Sequence, residues 1–303
     1  MRVLVTGAAG FIGKWAVTEL SKKGHEVIGT DKLEAPNVVT TDITEMNQVA
    51  QLFDKIKPEA VVHLAAISGS TGKNEAEQSL RQPHLNFAVN ALGAANICEA
   101  CRLKGVQSLV YMSSLAVYGR TGPDRLPITE STQISLEHAY ATSKYLGELV
   151  AQTYASDFGI KVAIFRTPFI VGEGQKERNL LKEFIEAGVA NQELLLFGRG
   201  AHKRDFIHAS DLIDAFSRAL VMLNSGHIRN ELFVLGNAPM TVYDLAQLVV
   251  RVAGRGRVRP GIDSDRTFDQ FTDFSKAKEV LGWEPKVSVE EGIRRILAAD
   301  YGP

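Results

Sequence analysis

The chain is poor in cysteine and has no surplus of either charge sign, and each shortage narrows what it can be. Only two cysteines, Cys98 and Cys101, occur in 303 residues. Their C-x-x-C spacing has no second ligand pair to complete a zinc site, and it lies in a stretch, Asn90 to Lys104, that reads as helix with Ala94, Ala95 and Ile97 nearby. They are expected to be buried thiols, and no metal is expected. Lys plus Arg is 34 against 35 Asp plus Glu. That balance leaves nothing to condense onto nucleic acid or an anionic membrane. No apolar run approaches the length of a membrane span, and a first strand starting at Arg2 leaves no room for a leader, so a cytoplasmic protein is expected. Apolar content of 45% and charged content of 23% suit a soluble chain of one large or two modest domains.

What the chain does have is glycine at its head. Val3-Leu4-Val5-Thr6-Gly7-Ala8-Ala9-Gly10-Phe11-Ile12-Gly13 reads as strand, tight turn, helix. In a phosphate cradle Gly7 permits the turn, Gly10 leaves room for a pyrophosphate and Gly13 lets the helix press on the strand. Phe11 and Ile12 lie in the first helical turn, whose free N–H groups and dipole favour an anion. The spacing is G-x-x-G-x-x-G rather than G-x-G-x-x-G, and a purely structural turn is the alternative. Strand Glu26 to Thr30 then ends on Asp31, where a carboxylate can accept from adenosine ribose hydroxyls and would repel a 2′-phosphate. NAD rather than NADP is therefore expected, with Lys32 in the same region; a turn-capping Asp is the other reading.

Val38 to Ile43 reads as a third strand. Asp42 could accept from an adenine amino group while Ile43 covers the ring, or it could cap a helix. Helix Met46 to Ile56 follows, then the apolar strand Ala60 to Ala66, whose Leu64, Ala65 and Ala66 would let a cofactor lie close to the backbone; His63 reads as a core histidine. Near-continuous aliphatic strands alternating with helices imply an α/β fold with a doubly wound parallel sheet, the Rossmann type. The polar segment Ser68 to Glu77 reads as a flap near the site. A helix over Leu85 to Lys104 carries Asn90, and strand Ser108 to Met112 delivers Ser113 and Ser114 to the carboxyl end of the sheet, as catalytic hydroxyls or as turn serines.

In Tyr140-Ala141-Thr142-Ser143-Lys144 the i, i+4 spacing puts a phenol and an ammonium on one helical face. Lowering a phenol of pKa about 10 by about three units takes about 4 kcal/mol. One ammonium at about 4 Å in an effective dielectric near 20 supplies roughly that, so Lys144, helped by the positive nicotinamide ring, is expected to make Tyr140 a working base. Taken alone, such a pair could equally decorate a surface.

Taken together, the glycine turn, Asp31, Asp42-Ile43, His63-Leu64-Ala65-Ala66, Asn90 with Gly93, Ser113-Ser114-Leu115-Ala116-Val117-Tyr118-Gly119, and Tyr140 with Lys144 resemble the extended short-chain dehydrogenase/reductase family. The similarity is greatest to its NAD-dependent sugar-nucleotide epimerase and dehydratase branch, and it runs from Arg2 to about Leu297. It implies tightly held NAD, bound by Gly7, Gly10, Phe11, Ile12, Gly13, Asp31, Lys32, Asp42, Ile43, Leu64, Ala65, Ala66, Asn90, Ser113, Tyr140, Lys144 and Pro168. It also implies a catalytic set of Ser114, Tyr140 and Lys144, and a homodimer. Substrate contacts are implied at Ser114, Phe169, Asn179, Leu180, Leu195, Phe197, Arg204 and Arg259, with Leu195 and Phe197 enclosing a base. Arg204 and Arg259 would converge on a diphosphate, where each guanidinium can form a bidentate pair; for Arg259, within the basic stretch Arg251 to Arg266, a surface arginine is the alternative.

Residues 1–168, with part of 200–237 returning to them, are expected to form the NAD-binding Rossmann domain, and 169–303 a smaller mixed α/β substrate region. Dehydratases of the resembled branch carry an Asp-Glu pair where this chain has Leu115-Ala116, and 3,5-epimerase types a cysteine at Leu115. What remains suits a 4-epimerase of the UDP-glucose kind, with an NAD-dependent ketoreductase or dehydrogenase, or a non-catalytic dinucleotide-binding regulator, as alternatives. One departure is Phe169, where such epimerases have an Asn that contacts the pyrophosphate. Losing that bond, worth about 1.5 to 3 kcal/mol, calls for other donors or a different substrate.

Overall fold

The computed structural model describes residues 1–67, 82–261 and 267–302; the segment Ser68 to Glu77 expected to be a flap lies outside them, as does the end of the basic stretch. In chain order the first half holds β1 (Arg2–Thr6), α1 (Phe11–Lys22), β2 (Glu26–Asp31), β3 (Val38–Thr40), α2 (Met46–Ile56), β4 (Ala60–His63), α3 (Pro83–Asn86), α4 (Gly93–Lys104), β5 (Ser108–Met112), α5 (Ala139–Phe158) and β6 (Lys161–Arg166). Then come β7 (Phe169–Val171), α6 (Leu180–Val189), β8 (Glu193–Leu195), β9 (Lys203–Arg204), β10 (Phe206–His208), α7 (Ala209–Ser225), β11 (Asn230–Val234), β12 (Met240–Thr241), α8 (Val242–Ala253), β13 (Arg257–Arg259), α9 (Ser275–Leu281) and α10 (Val289–Asp300).

The main sheet runs β11-β6-β5-β4-β1-β2-β3 with every pairing parallel. Residues such as Val3, Val5, Val61 and Val62 have no exposed surface because helices cover both faces. Ala16 and Leu20 of α1 pack with Leu212, Phe216 and Leu220 of α7 on one side; Val49 and Phe53 of α2, Ile97 and Cys101 of α4 and Ala151 of α5 pack on the other. Cys98 and Cys101 are buried free thiols, and burial pushes the Cys98 thiol up to about 12. The strand order reverses between β1 and β4, and a doubly wound sheet opens its ligand crevice at the carboxyl ends of such a pair. Beyond the sheet, the short pairs β7–β10, β8–β13 and β9–β12 pack with α6, α8 and α10 into a second core of Leu181, Ile185, Leu245, Val249 and Ile293.

Two expected elements differ. β3 stops at Thr40, because the Asp42 carboxylate turns back to accept from Thr44 N at 3.0 Å and breaks the extended run. The helix expected over Leu85 to Lys104 contains a π-helical turn at Phe87–Leu92. The wider turn carries Asn90, whose amide is drawn to groups outside the helix: Nδ2 donates to Ser143 Oγ at 2.9 Å, and Oδ1 accepts from Ile67 N at 2.8 Å.

Candidate active site

The crevice is built where β1 and β4 end. Gly7 takes a left-handed φ of +72°, and a Cβ there would stand 2.7 Å from Ala65 N, so only glycine brings this turn against the β4 exit. A Cβ on Gly13 would fall 2.0 Å from Gly7 O, whereas one on Gly10 would meet protein only at Gly7 O, 3.3 Å away. The open side of the turn is at Gly10. The N-terminus of α1 has no side-chain cap. Thr6 Oγ1 accepts from Leu64 N at 3.1 Å and Ala65 N at 3.2 Å, which leaves its proton for His63 Nδ1 at 2.7 Å and assigns His63 the Nε2–H tautomer. His63 is buried, as expected of a core histidine.

Asp31 ends β2 with Oδ2 accepting from Ala9 N and Oδ1 from Leu33 N, both at 3.0 Å. Each oxygen keeps a second lone pair for a ribose hydroxyl. Lys32 is committed to Asp42 at 2.6 Å. Asp42 forms its own turn rather than capping α2, whose N-cap is Glu45. Ile43 is only 6% exposed, with its δ1 methyl where a Cβ on Gly93 would sit, so its side chain is spent inside and leaves little face for an adenine.

At the ends of β5 and β6 the two serines divide. Ser114 opens a 3-10 turn over Leu115–Tyr118 and accepts from Ala116 N at 3.1 Å; its hydroxyl stands beside the Tyr140 phenol and favours that phenol's ionisation. Ser113 is buried and donates its hydroxyl proton to Glu148. Likewise the Asn90 amide braces Ile67 and Ser143. Helix α5 is capped by His138, whose Nδ1 accepts from Ala141 N at 3.2 Å and whose ring stacks on Tyr140 at 6.2 Å. Lys144, 3% exposed, stands with Nζ 4.6 Å from the Tyr111 ring centroid. Gly147 allows this approach: a Cβ there would lie 2.1 Å from Tyr111 Oη.

The electrostatics correct one expectation. Burial holds the Tyr140 phenol above its ordinary value, with Ser114 acting the other way, and burial pulls Lys144 down to about 8 against the raising effect of Glu148. Lys144 by itself does not bring the Tyr140 phenol below its ordinary value. A dry site penalises the charged form of both groups, and the simple Coulomb sum omits that cost.

Farther on, Leu195 (53% exposed) and Phe197 (65% exposed) present apolar surface, and Arg259 lies beside Leu195 in register. Arg259 is exposed and paired with Glu193 at 2.9 Å, which is the surface-arginine alternative. Arg204 is buried over the Phe268 ring at 4.4 Å and donates to the Lys203 and Phe268 carbonyls, with burial lowering it to about 10. The two guanidiniums thus have separate partners. Asn179 spends its side chain capping α6, accepting from Lys182 N at 3.0 Å, and Leu180 follows as the first residue of that helix. Pro168 joins β6 to β7, and Phe169 stacks on Phe206 at 5.8 Å.

Residues 3–236 match the model of the NAD dependent epimerase/dehydratase family. The chain belongs to that family. It is 31% identical over 318 residues to a UDP-glucose 4-epimerase of Mycolicibacterium smegmatis, covering 98% of this chain and 97% of the relative. Among solved structures it is similar to UDP-glucose 4-epimerase of Thermotoga maritima with UDP-glucose (TM-score 0.87, 28% identity, 99% and 98% coverage) and to that of Brucella ovis in complex with NAD (TM-score 0.89, 26% identity, 99% and 98% coverage). Other relatives bear dehydratase and reductase names.

As an NAD-dependent epimerase/dehydratase the chain is an enzyme whose cofactor is NAD, and its residues fit that group. The open side of Gly10, the uncapped α1 N-terminus, the spare lone pairs of Asp31 and the small Ala65 and Ala66 are what a dinucleotide needs. Sequence reasoning missed Tyr111, Glu148 and Arg166, which form the buried polar floor of the site. Glu148 repeats the i, i+4 step from Lys144, and Arg166 ends an otherwise apolar strand; those were the available signals.

Proposed function

We propose that this enzyme is a sugar-nucleotide 4-epimerase acting on a UDP-glucose or UDP-galactose type of substrate. The observation that carries the reading is the Ser114 hydroxyl beside the Tyr140 phenol, next to a turn whose Leu115 and Val117 are buried aliphatics rather than an added acid or base. Tyr140 takes the proton of the sugar's carbon-4 hydroxyl, Ser114 holds the reacting oxygen and relays the proton, and Lys144 offsets the phenolate charge. Bound NAD supplies the hydride acceptor and then the donor at carbon 4. Between the two transfers the 4-keto sugar turns over, while Arg204 and the apolar surface of Leu195 and Phe197 retain the nucleotide half. Arg204 suits this because it is a buried guanidinium that makes no ion pair among the described residues.

We assign residues 1–168, with the returning part of 200–237, to the cofactor and 169–303 mainly to the substrate. A homodimer accords with Leu92, Leu103, Leu146, Leu149 and Phe158, exposed on α4, α5 and the π-helical turn. An NAD-dependent reductase or dehydrogenase acting on another small alcohol is the second reading, favoured by Phe169, whose phenyl ring cannot donate to a pyrophosphate. A panel of uridine-, thymidine- and guanosine-diphosphate sugars, followed at carbon 4 by NMR, tests the choice. Inversion without net NADH change is expected, and stoichiometric NADH change selects the reductase.

A further inference from the structure

Behind Tyr140 and Lys144 lies a run of buried polar groups that carries no proton in the chemistry above. Glu148, one helical turn beyond Lys144, has no exposed surface and receives Arg166 Nε at 3.0 Å, Arg166 Nη2 at 2.6 Å and the Ser113 hydroxyl. Arg166 also donates from Nη1 to Tyr118 Oη at 2.7 Å, and that hydroxyl donates to Thr129 O at 2.8 Å. In front, the Tyr111 ring lies 4.6 Å from Lys144 Nζ, and the Tyr111 hydroxyl donates to Lys144 O at 3.2 Å. We propose that Glu148 and Tyr111 are positioning residues that keep the Lys144 ammonium charged and fixed at the strand ends, one by its carboxylate and the other by its ring face.

Stability alone does not account for this arrangement. A buried ion pair is seldom more stabilising than well-packed apolar side chains of the same volume, so its orientation matters more than its presence. The pair's negative member is carried by the helix that bears Lys144, one turn on, and its positive member is held by Tyr118. The titratable groups facing Lys144 are Tyr140 and Glu148 on its own helix, Tyr111 on β5 and His63 on β4, with Arg166 on β6 behind Glu148. Burial and the Lys144 charge hold His63 down to about 3, so it stays neutral and adds no second cation. A buried ammonium with no carboxylate ion pair among the described residues would shed its proton without such support. The π face of Tyr111 offers part of that support through a cation–π contact.

The inference rests on the role given to Lys144 above, and it is read without turnover. In protein labelled with 13C at the lysine ε carbon, the Lys144 resonance is assigned by its loss in Lys144→Arg and titrated against pH. In Glu148→Gln and in Tyr111→Leu the midpoint is expected to fall by about one unit or more, whereas Tyr111→Phe, which keeps the ring, should titrate like the parent. The alkaline limb of kcat/KM should move down with the midpoint. Glu148→Gln leaves Arg166 unpaired and could fail to fold; the Glu148→Gln/Arg166→Met double variant removes both charges and carries the same expectation. Folded variants whose Lys144 midpoint equals the parent's would overturn the proposal. Absence of epimerisation with an unshifted parent titration would instead fault the assigned reaction.

Discussion

At Tyr140 the governing quantity is how readily a proton leaves a phenol that burial holds above its ordinary value. Tyr140→Phe keeps the ring that stacks on His138 and deletes only the hydroxyl. It should lower kcat by about 100- to 10,000-fold with the melting temperature little changed, and near-parental kcat would remove Tyr140 from the mechanism. Residue identities were legible at this scale, but their environments were not. The resemblance separates Ser114 from Ser113, but that the packing of α5 gives the Ser113 hydroxyl to Glu148 and leaves Ser114 beside Tyr140 is visible only in the fold. Asp42, Ile43, Asn90 and Asn179 each make turns, caps or core contacts that sequence does not announce, with chain distant in sequence or folded back locally.

At the scale of elements, α5 bears both Tyr140 and Lys144, and its approach to β5 is set by Gly147. Gly147→Ala would gain about 1 kcal/mol of helix propensity. The added methyl, 2.1 Å from Tyr111 Oη and 2.8 Å from Asn90 O, meets a wall that must move, at a cost of about 1–3 kcal/mol. Thermal unfolding should show a net loss of stability, together with a lower kcat because Tyr111 lies under Lys144; a raised melting temperature would contradict the packing account. The parallel sheet was readable because strands buried on both faces must be continuously apolar. The π-helical turn was not, since it answers to hydrogen bonds from Asn90 to Ile67 and Ser143 that no local pattern announces.

For the molecule as a whole, Asp205 joins the turn at Asn237 and the Thr272 segment, accepting from Asn237 N at 2.8 Å and Thr272 Oγ1 at 2.7 Å. Burial raises it to about 6. A carboxyl raised on folding binds its proton more tightly in the native state, so its penalty is full above about pH 6 and is relieved as the pH falls toward its unfolded value. Chemical denaturation should therefore find the parent's stability advantage over Asp205→Asn larger at pH 5 than at pH 7, and an advantage that shrinks on acidification would reverse the assignment. The family was legible across the chain because its marks are spread from Gly7 to the C-terminal half, whereas the pairing of Arg259 with Glu193 and the packing of Arg204 under Phe268 were not, because both partners lie far off in sequence.

The central claim is that one sugar carbon gives up and regains a hydrogen inside a closed exchange governed by Tyr140. A UDP-hexose deuterated at carbon 4 tests it most directly. The epimer formed is expected to keep its deuterium at carbon 4, with none in free NADH and none lost to water. Deuterium accumulating in free NADH, or washed out into solvent, would contradict the account.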